Sequence, residues 1–130
     1  MNEYVEGKIS QFESMLNIFR ESIVTNATLT ERTAAIKNFE LTFELSWRAM
    51  KRFLEFREGE RLLSTTAVIK KGFSYGIILN ENDWLELIQL RNKAVHAYGE
   101  IIAINVFDSL PSTIKIFDDC LQKLKLDIGQ

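Results

Sequence analysis

The stretch IKNFELTFELSWRAMKRFL, residues 36–54, decides the fold of this chain. Its large apolar side chains recur at steps of three and four residues, at Ile36, Phe39, Phe43, Trp47, Met50 and Leu54. Because an α-helix turns by about 100° per residue, this spacing places them along one face. The stretch predicts the buried face of a long helix, and we expect Phe39, Phe43 and Trp47 to pack in a core.

The residues that flank this stretch predict where the helix begins and ends. Thr28 and Glu31 have the spacing of a capping box, in which each side chain accepts a hydrogen bond from the other residue's backbone N–H. Thr30 is an alternative N-cap. Gly59 follows the apolar residues and is typical of a C-terminal stop. The helix is therefore predicted over about Leu29 to Glu58.

The same reasoning predicts further helices over about residues 3–24, 65–73, 81–97 and 100–126. The apolar side of the helix over residues 81–97 is assigned to Trp84, Leu87, Ile88 and Val95. The helix over residues 100–126 has an apolar stripe that includes Ile101, Ile104, Phe107 and Leu110. Pro111 lacks an N–H and clashes with the preceding turn, so we expect a kink or break near Asp108 to Leu110. The sum is an all-α bundle of four main helices with one short extra helix, in a single domain over residues 1–130.

Composition narrows the classes of function. The 130 residues carry 16 Lys and Arg against 18 Asp and Glu, a net charge of −2, which predicts no strong general attraction to nucleic acid or to anionic membranes. The pairs Lys51–Arg52 and Lys70–Lys71 are accordingly interpreted as solvated surface rather than nucleic-acid contacts. Cys120 is the one cysteine, so no intrachain disulfide can form. The N-terminus does not resemble a signal peptide, and the apolar stretch from Ile101 to Phe107 is too short to span a bilayer, which favours a cytoplasmic protein.

The single histidine, His96, limits the chemistry further. A zinc site of the Cys/His type would lack ligands unless carboxylates or a second chain supplied them, and a Ser-His-Asp triad would have to use His96. The chain contains no GxGxxG and no Walker loop. The sequence therefore predicts no metal and no cofactor.

The stretch LRNKAVHAYG, residues 90–99, holds the candidate site. On a helix, Asn92 and His96 lie one turn apart, and Arg91 shares the neighbouring face with Tyr98. Arginine offers a fixed fork of donors suited to phosphate, and imidazole exchanges protons near neutral pH. Arg91 and His96 could together hold and cleave a phosphodiester. The alternative is a plain helix end, where Arg91 and His96 favour the negative end of the helix dipole and Tyr98 packs its ring.

The order of Arg91, Asn92, His96 and Tyr98 resembles the signature of HEPN-domain proteins. More narrowly, the chain resembles the small HEPN proteins called nucleotidyltransferase substrate-binding proteins, which are related to HepT toxins of the MNT/HEPN toxin–antitoxin modules. The supporting matches are KNFEL through FELSW over residues 37–47, Asp83–Trp84–Leu85 before the motif, and the Leu110–Pro111 break. The resemblance covers nearly the whole chain.

This resemblance implies an antiparallel up-and-down helical bundle that forms a homodimer and partners a minimal nucleotidyltransferase encoded nearby, with the nucleotide at the partner's site. In toxic members the Arg and His cleave RNA without a metal, and the partner silences them by transferring AMP to the motif tyrosine. Carried over, Arg91 and His96 are the catalytic pair, Asn92 is a supporting binding residue, and Tyr98 is the AMP acceptor. Many members have an acidic residue after the tyrosine, where this chain has Gly99.

Two hypotheses follow, and they are compatible. In the first, the chain is a non-catalytic binding module that docks the nucleotidyltransferase. In the second, it is a toxic ribonuclease, with RNA as a further ligand, held in check by that partner. A third interpretation is a helical interaction module with no nucleotide role.

Overall fold

The computed structural model describes residues 2–97 and 99–128, which form six helices and no strand. The helices are α1 (Glu3–Ser22), α2 (Leu29–Glu58), α3 (Thr65–Tyr75), α4 (Glu81–Val95), α5 (Glu100–Ser109) and α6 (Pro111–Ile128). The all-helical prediction is confirmed, together with the short extra helix, α3. No helix in these two ranges combines the length and the apolar character that crossing a bilayer requires.

Local chemistry fixes both ends of α2 as the sequence predicts. The Glu31 N–H donates to the Thr28 hydroxyl at 3.1 Å, and the Thr28 N–H donates to the Glu31 carboxylate at 2.8 Å. Thr28, rather than Thr30, is therefore the N-cap. Gly59 ends the helix with a φ of 70°, a left-handed conformation that glycine adopts without steric cost.

Contacts between α1 and α2 show that the two helices run in opposite directions. Arg52, near the end of α2, lies over the ring of Tyr4, near the start of α1. Further along, the Thr42 hydroxyl of α2 lies 3.4 Å from the Met15 carbonyl of α1. α6 is also antiparallel to α1, because Lys125 pairs with Glu13 at 2.7 Å and Asp118 pairs with Arg20 at 2.6 Å.

The end of α4 lies beside the start of α2. Arg32 of α2 lies 3.5 Å from Glu100, which follows the α4–α5 connection. α4 is antiparallel to α5 and α6. Asp83, at the start of α4, lines a groove with Ile116 of α6, whereas His96, at the end of α4, lines a groove with Ile102 of α5. The order α1, α2, α4, α5–α6 is thus up, down, up, down, with α3 inserted between α2 and α4.

The centre of the core is a cluster of aromatic rings around Phe117. Its ring centroid lies 6.2 Å from those of Phe12 and Phe39, 6.3 Å from that of Phe19 and 5.9 Å from that of Trp84. These residues come from α1, α2, α4 and α6. The cluster therefore joins the four main elements of the bundle.

The core assignments made from α2 are largely confirmed. Phe39 and Phe43 are fully buried, whereas Trp47 is half-buried and packs against the edge of the core. Its indole N–H donates to the Glu44 carboxylate at 3.1 Å, so the ring keeps a polar contact at the surface.

The break at proline is confirmed, and the apolar stripe assigned before it is half confirmed, since Leu110 is buried and Phe107 packs against the core but Ile101 and Ile104 do not. α5 ends at Ser109 and α6 begins at Pro111. Ile101 and Ile104 point outward, with Ile101 77% exposed, and the buried residues of α5 are Ala103 and Val106. Because α5 is apolar on almost every side, its spacing could not indicate which face would be buried.

α3 extends two residues further than predicted, to Tyr75, and the two glycines near its end have different roles. Gly72 lies inside α3, and a Cβ there would lie 3.1 Å from the Ile78 side chain, so it permits close packing rather than marking an end. Gly76 ends the helix with a φ of 94°. The Asn80 side chain then accepts a hydrogen bond from the Asn82 N–H at 2.9 Å and caps α4.

Candidate functional site

The motif residues lie at the end of α4, and the helix stops before the motif is complete. Val95 is its last residue, two residues earlier than predicted, and His96 is the C-cap with φ −109° and ψ 24°. The His96 N–H donates to the Lys93 carbonyl at 3.1 Å, which closes the last turn. The role predicted for Tyr98 falls on a residue outside the described ranges.

Arg91 is directed toward α2. The central carbon of its guanidinium lies 5.5 Å from the ring centroid of Phe43, within the range of a cation–π contact. Its Nε is buried and donates no hydrogen bond within the described structure, and the side chain pairs with no described carboxylate. An unsatisfied buried donor costs free energy, so the packing of α2 against α4 holds this cation at a cost.

His96 and Asn92 have different surroundings from Arg91. His96 is exposed and lines a groove together with Ile102 and Asn105 of α5. Asn92 is exposed on α4. Within one chain the structure therefore directs Arg91 toward α2 and places His96 beside α5.

The groove beside His96 continues along α4. One section has a volume of about 310 Å³ and is lined by Leu90, Lys93, His96, Ile102, Asn105, Val106 and Ser109. The next, of about 290 Å³, shares Leu90, Lys93 and Ser109 and extends to Asp83 and Thr113. We call the two sections together the α4 groove. Its lining mixes apolar side chains, among them Leu87, Leu90 and Val106, with a larger number of polar and charged ones. A concave surface of this kind offers a small molecule both apolar contact and hydrogen-bonding groups.

Lys93 is the residue of this groove that sequence reasoning missed. It lines both sections, and its ammonium forms no ion pair with any carboxylate in residues 2–97 and 99–128. Its position inside the motif stretch, two residues after Arg91, was a signal that could have found it. The α5 residues of the groove, Asn105 and Ser109, carried no such signal. The Ser109 hydroxyl donates to the Asn105 carbonyl at 3.1 Å.

A largely exposed and mostly apolar stripe runs along α4 and includes the motif residue Asn92. Leu85, Ile88, Asn92 and Val95 follow each other at steps of three and four, so they share one face of the helix. Val95, which the sequence assigned to the apolar core side, is 46% exposed, and Ile88 is half-buried. Of the predicted apolar face, Trp84 and Leu87 are buried in the core, Ile88 packs against its edge, and Val95 alone faces solvent.

Metal-binding side chains do not gather in this region. Across the described ranges, His, Cys, Asp and Glu form no group of three or more that could hold a metal ion. Cys120 is buried in the core, where desolvation raises the pKa of its thiol.

Comparison with known proteins settles the family. The model of a family described as nucleotidyltransferase substrate binding protein like matches residues 5–126. The chain belongs to this family. The match includes the whole of the α4 groove and the complete motif stretch.

Solved structures agree with this assignment. A crystal structure of a protein from Thermus thermophilus is 29% identical, has a TM-score of 0.79, and aligns over 87% of this chain and 98% of its own. HI0074 from Haemophilus influenzae, described as having the fold of a substrate-binding domain of a nucleotidyltransferase, is 19% identical with a TM-score of 0.69 over 95% of this chain and 98% of its own. The likeness to HI0074 shows that the two proteins share a fold. None of the curated proteins matches the chain significantly.

Proposed function

We propose that this chain is a HEPN-type subunit that forms a homodimer and binds the substrate of a separate minimal nucleotidyltransferase, as one component of a cytoplasmic two-component module of toxin–antitoxin type. The whole chain acts as one domain in this proposal. The observation that carries it is the α4 groove, an open concave surface that adjoins the motif in a member of a substrate-binding family.

The exposed stripe on α4 supports the homodimer. Leu85 and Val95 are apolar, face solvent in the isolated chain, and flank Asn92. A two-fold axis near this stripe would bury the same residues on both copies, which is how isologous dimers form. It would also bring the two copies of the motif close to each other.

Light scattering of the purified chain tests the dimer, and co-purification with the nucleotidyltransferase encoded nearby tests the partner. We expect Val95→Lys to convert the dimer to a monomer, because it places a charge in the apolar interface. The matched control is Ile18→Lys, at an apolar residue of α1 that is also exposed. A wild-type monomer contradicts the dimer, and loss of the dimer in the control as well contradicts an interface at the α4 stripe. Failure to co-purify contradicts the partnership.

Arg91 favours a second candidate function, a HepT-like metal-independent ribonuclease. Its guanidinium is held between helices without a described carboxylate, so its charge is available to a phosphate. In this proposal Arg91 stabilises the phosphodiester that is being cleaved, and His96 transfers a proton. Asn92 assists binding, and AMP transferred to Tyr98 silences the activity.

Expression of the chain alone tests this second function. We expect growth arrest and RNA cleavage by the wild type, and loss of both in Arg91→Ala and His96→Ala. Lys115→Ala, at an exposed lysine of α6, is the control and should leave both intact. Intact mass after co-expression should increase by AMP steps that Tyr98→Phe removes. Harmless expression without RNA cleavage contradicts the ribonuclease.

A further inference from the structure

A basic groove lies on the α1–α2 side of the molecule. It has a volume of about 170 Å³ and is lined by Lys8, Trp47, Arg48, Lys51 and Arg52. Four of these five residues are cationic, although the whole chain carries a net charge of −2. The pair Lys51–Arg52, interpreted from the sequence as solvated surface, is half-buried here.

Neighbouring carboxylates cancel only part of this charge. Arg48 pairs with Glu44 at 2.7 Å, and Arg52 lies 3.3 Å from Glu55. Lys8 and Lys51 have no ion pair with a carboxylate of the described ranges. Two positive charges thus share the groove without a described counter-charge, and their mutual repulsion would be relieved by an anion.

Aromatic rings hold the cations in place. The Lys8 ammonium and the Arg52 guanidinium each lie 5.5 Å from the centroid of the Tyr4 ring. Arg48 lies 5.7 Å from the centroid of the Trp47 ring. These contacts restrict the long side chains before any ligand arrives, which lowers the entropy cost of binding.

The basic groove shares no lining residue with the α4 groove and lies far from the His96 end of that groove. Arg32, beside Glu100 and the end of α4, is 19 positions before Lys51 on the same helix. At a rise of about 1.5 Å per residue, the two positions are about 28 Å apart along α2. The basic groove is therefore a separate surface, and nothing inferred from it depends on the proposed function.

We propose that the basic groove binds a chain of two or three phosphate groups, such as the phosphate tail of a nucleoside triphosphate. Arginine forks and lysine ammonium groups are the donors that proteins use for phosphate oxygens. The volume of about 170 Å³ suits a compact anion. The cations surround one short concave surface and do not follow a line along the protein, which favours a small polyphosphate over an extended polynucleotide.

Calorimetric titration of the full chain with inorganic triphosphate at low ionic strength tests this proposal. We expect one site per chain, and about tenfold weaker binding in Lys8→Ala and in Lys51→Ala, since each removes one charge-assisted contact. The control is Lys115→Ala, which removes an exposed lysine from α6 and should bind as the wild type does. Circular dichroism confirms that each variant keeps its helices.

Two further titrations distinguish the sources of the phosphate. Tighter binding of ATP than of inorganic triphosphate assigns the site to a nucleotide, and equal binding assigns it to the phosphate chain alone. Both results support the proposal. Absence of binding by both compounds, equal weakening in Lys115→Ala, or binding of single-stranded RNA without binding of triphosphate would overturn it.

Discussion

Replacement of Phe117 by alanine should be among the most destabilising single changes in this protein. Phe117 is fully buried on α6, and its ring is within 5.9–6.3 Å of four other aromatic rings that come from α1, α2 and α4. Removing the ring leaves a cavity at the point where the main helices meet. The surrounding residues cannot collapse into it easily, because they belong to different elements.

The size of the effect follows from this geometry. Truncation of a buried phenylalanine to alanine costs about 3–5 kcal/mol, and each lost aromatic pair adds about 0.5–1.5 kcal/mol without strict additivity. We therefore expect the upper part of the first range, about 4–5 kcal/mol. Since small domains unfold with a free energy of about 5–15 kcal/mol, this loss is a large share of the total stability.

Urea denaturation followed by circular dichroism at fixed protein concentration measures the free energy of unfolding. The matched control is Phe73→Ala on α3, where the phenylalanine is 47% exposed and the expected loss is below about 1 kcal/mol. A loss below about 2 kcal/mol for Phe117→Ala, or equal losses for both variants, would show that the aromatic cluster does not hold the bundle together.

Two further predictions concern titratable groups. Burial raises the pKa of the Cys120 thiol, so a thiol reagent should modify it only after the protein is unfolded, and rapid modification of the native protein would contradict the burial. Hydrogen bonds with the Thr28 backbone N–H and, to a smaller extent, with the Thr28 hydroxyl lower the pKa of the Glu31 carboxyl from its ordinary value of 4.5. The ionised carboxylate therefore stabilises the folded protein fully above pH 4.5, and this stabilisation is lost as the pH falls through the lowered pKa. The difference in unfolding free energy between wild type and Glu31→Gln should therefore be present at neutral pH and disappear in acid, and an equal difference at both would refute this.

The sequence predicted the parts of the fold that depend on local chemistry. The bounds of α2 follow from Thr28, Glu31 and Gly59, whose capping geometry involves only residues a few positions apart. The break at Pro111 is equally local, because a proline disrupts the helical turn that precedes it. Such features form in the same way whatever packs around them.

Features that depend on tertiary packing were harder to predict. α5 is apolar on almost every side, so only its packing against the other helices decides that Ala103 is buried and Ile101 is exposed. Val95 follows the same apolar spacing as buried residues of α4 but lies on the exposed stripe. For the candidate site, the sequence identified Arg91 and His96 as a pair. It could not indicate that Arg91 packs against α2 whereas His96 lies beside α5.

This separation gives the ribonuclease proposal its sharpest test. If Arg91 of one chain acts with the partner's His96, a heterodimer of Arg91→Ala and His96→Ala chains contains one intact pair and one doubly altered pair. Random mixing makes about half of the dimers heterodimers, so the mixture should recover about a quarter of the wild-type activity, although each variant alone is inactive. If both residues act within one chain, every pair in the mixture is defective and no activity returns. Recovered activity therefore requires a site built from both chains. If a mixture shown to exchange subunits recovers no activity, the chemistry takes place within a single chain.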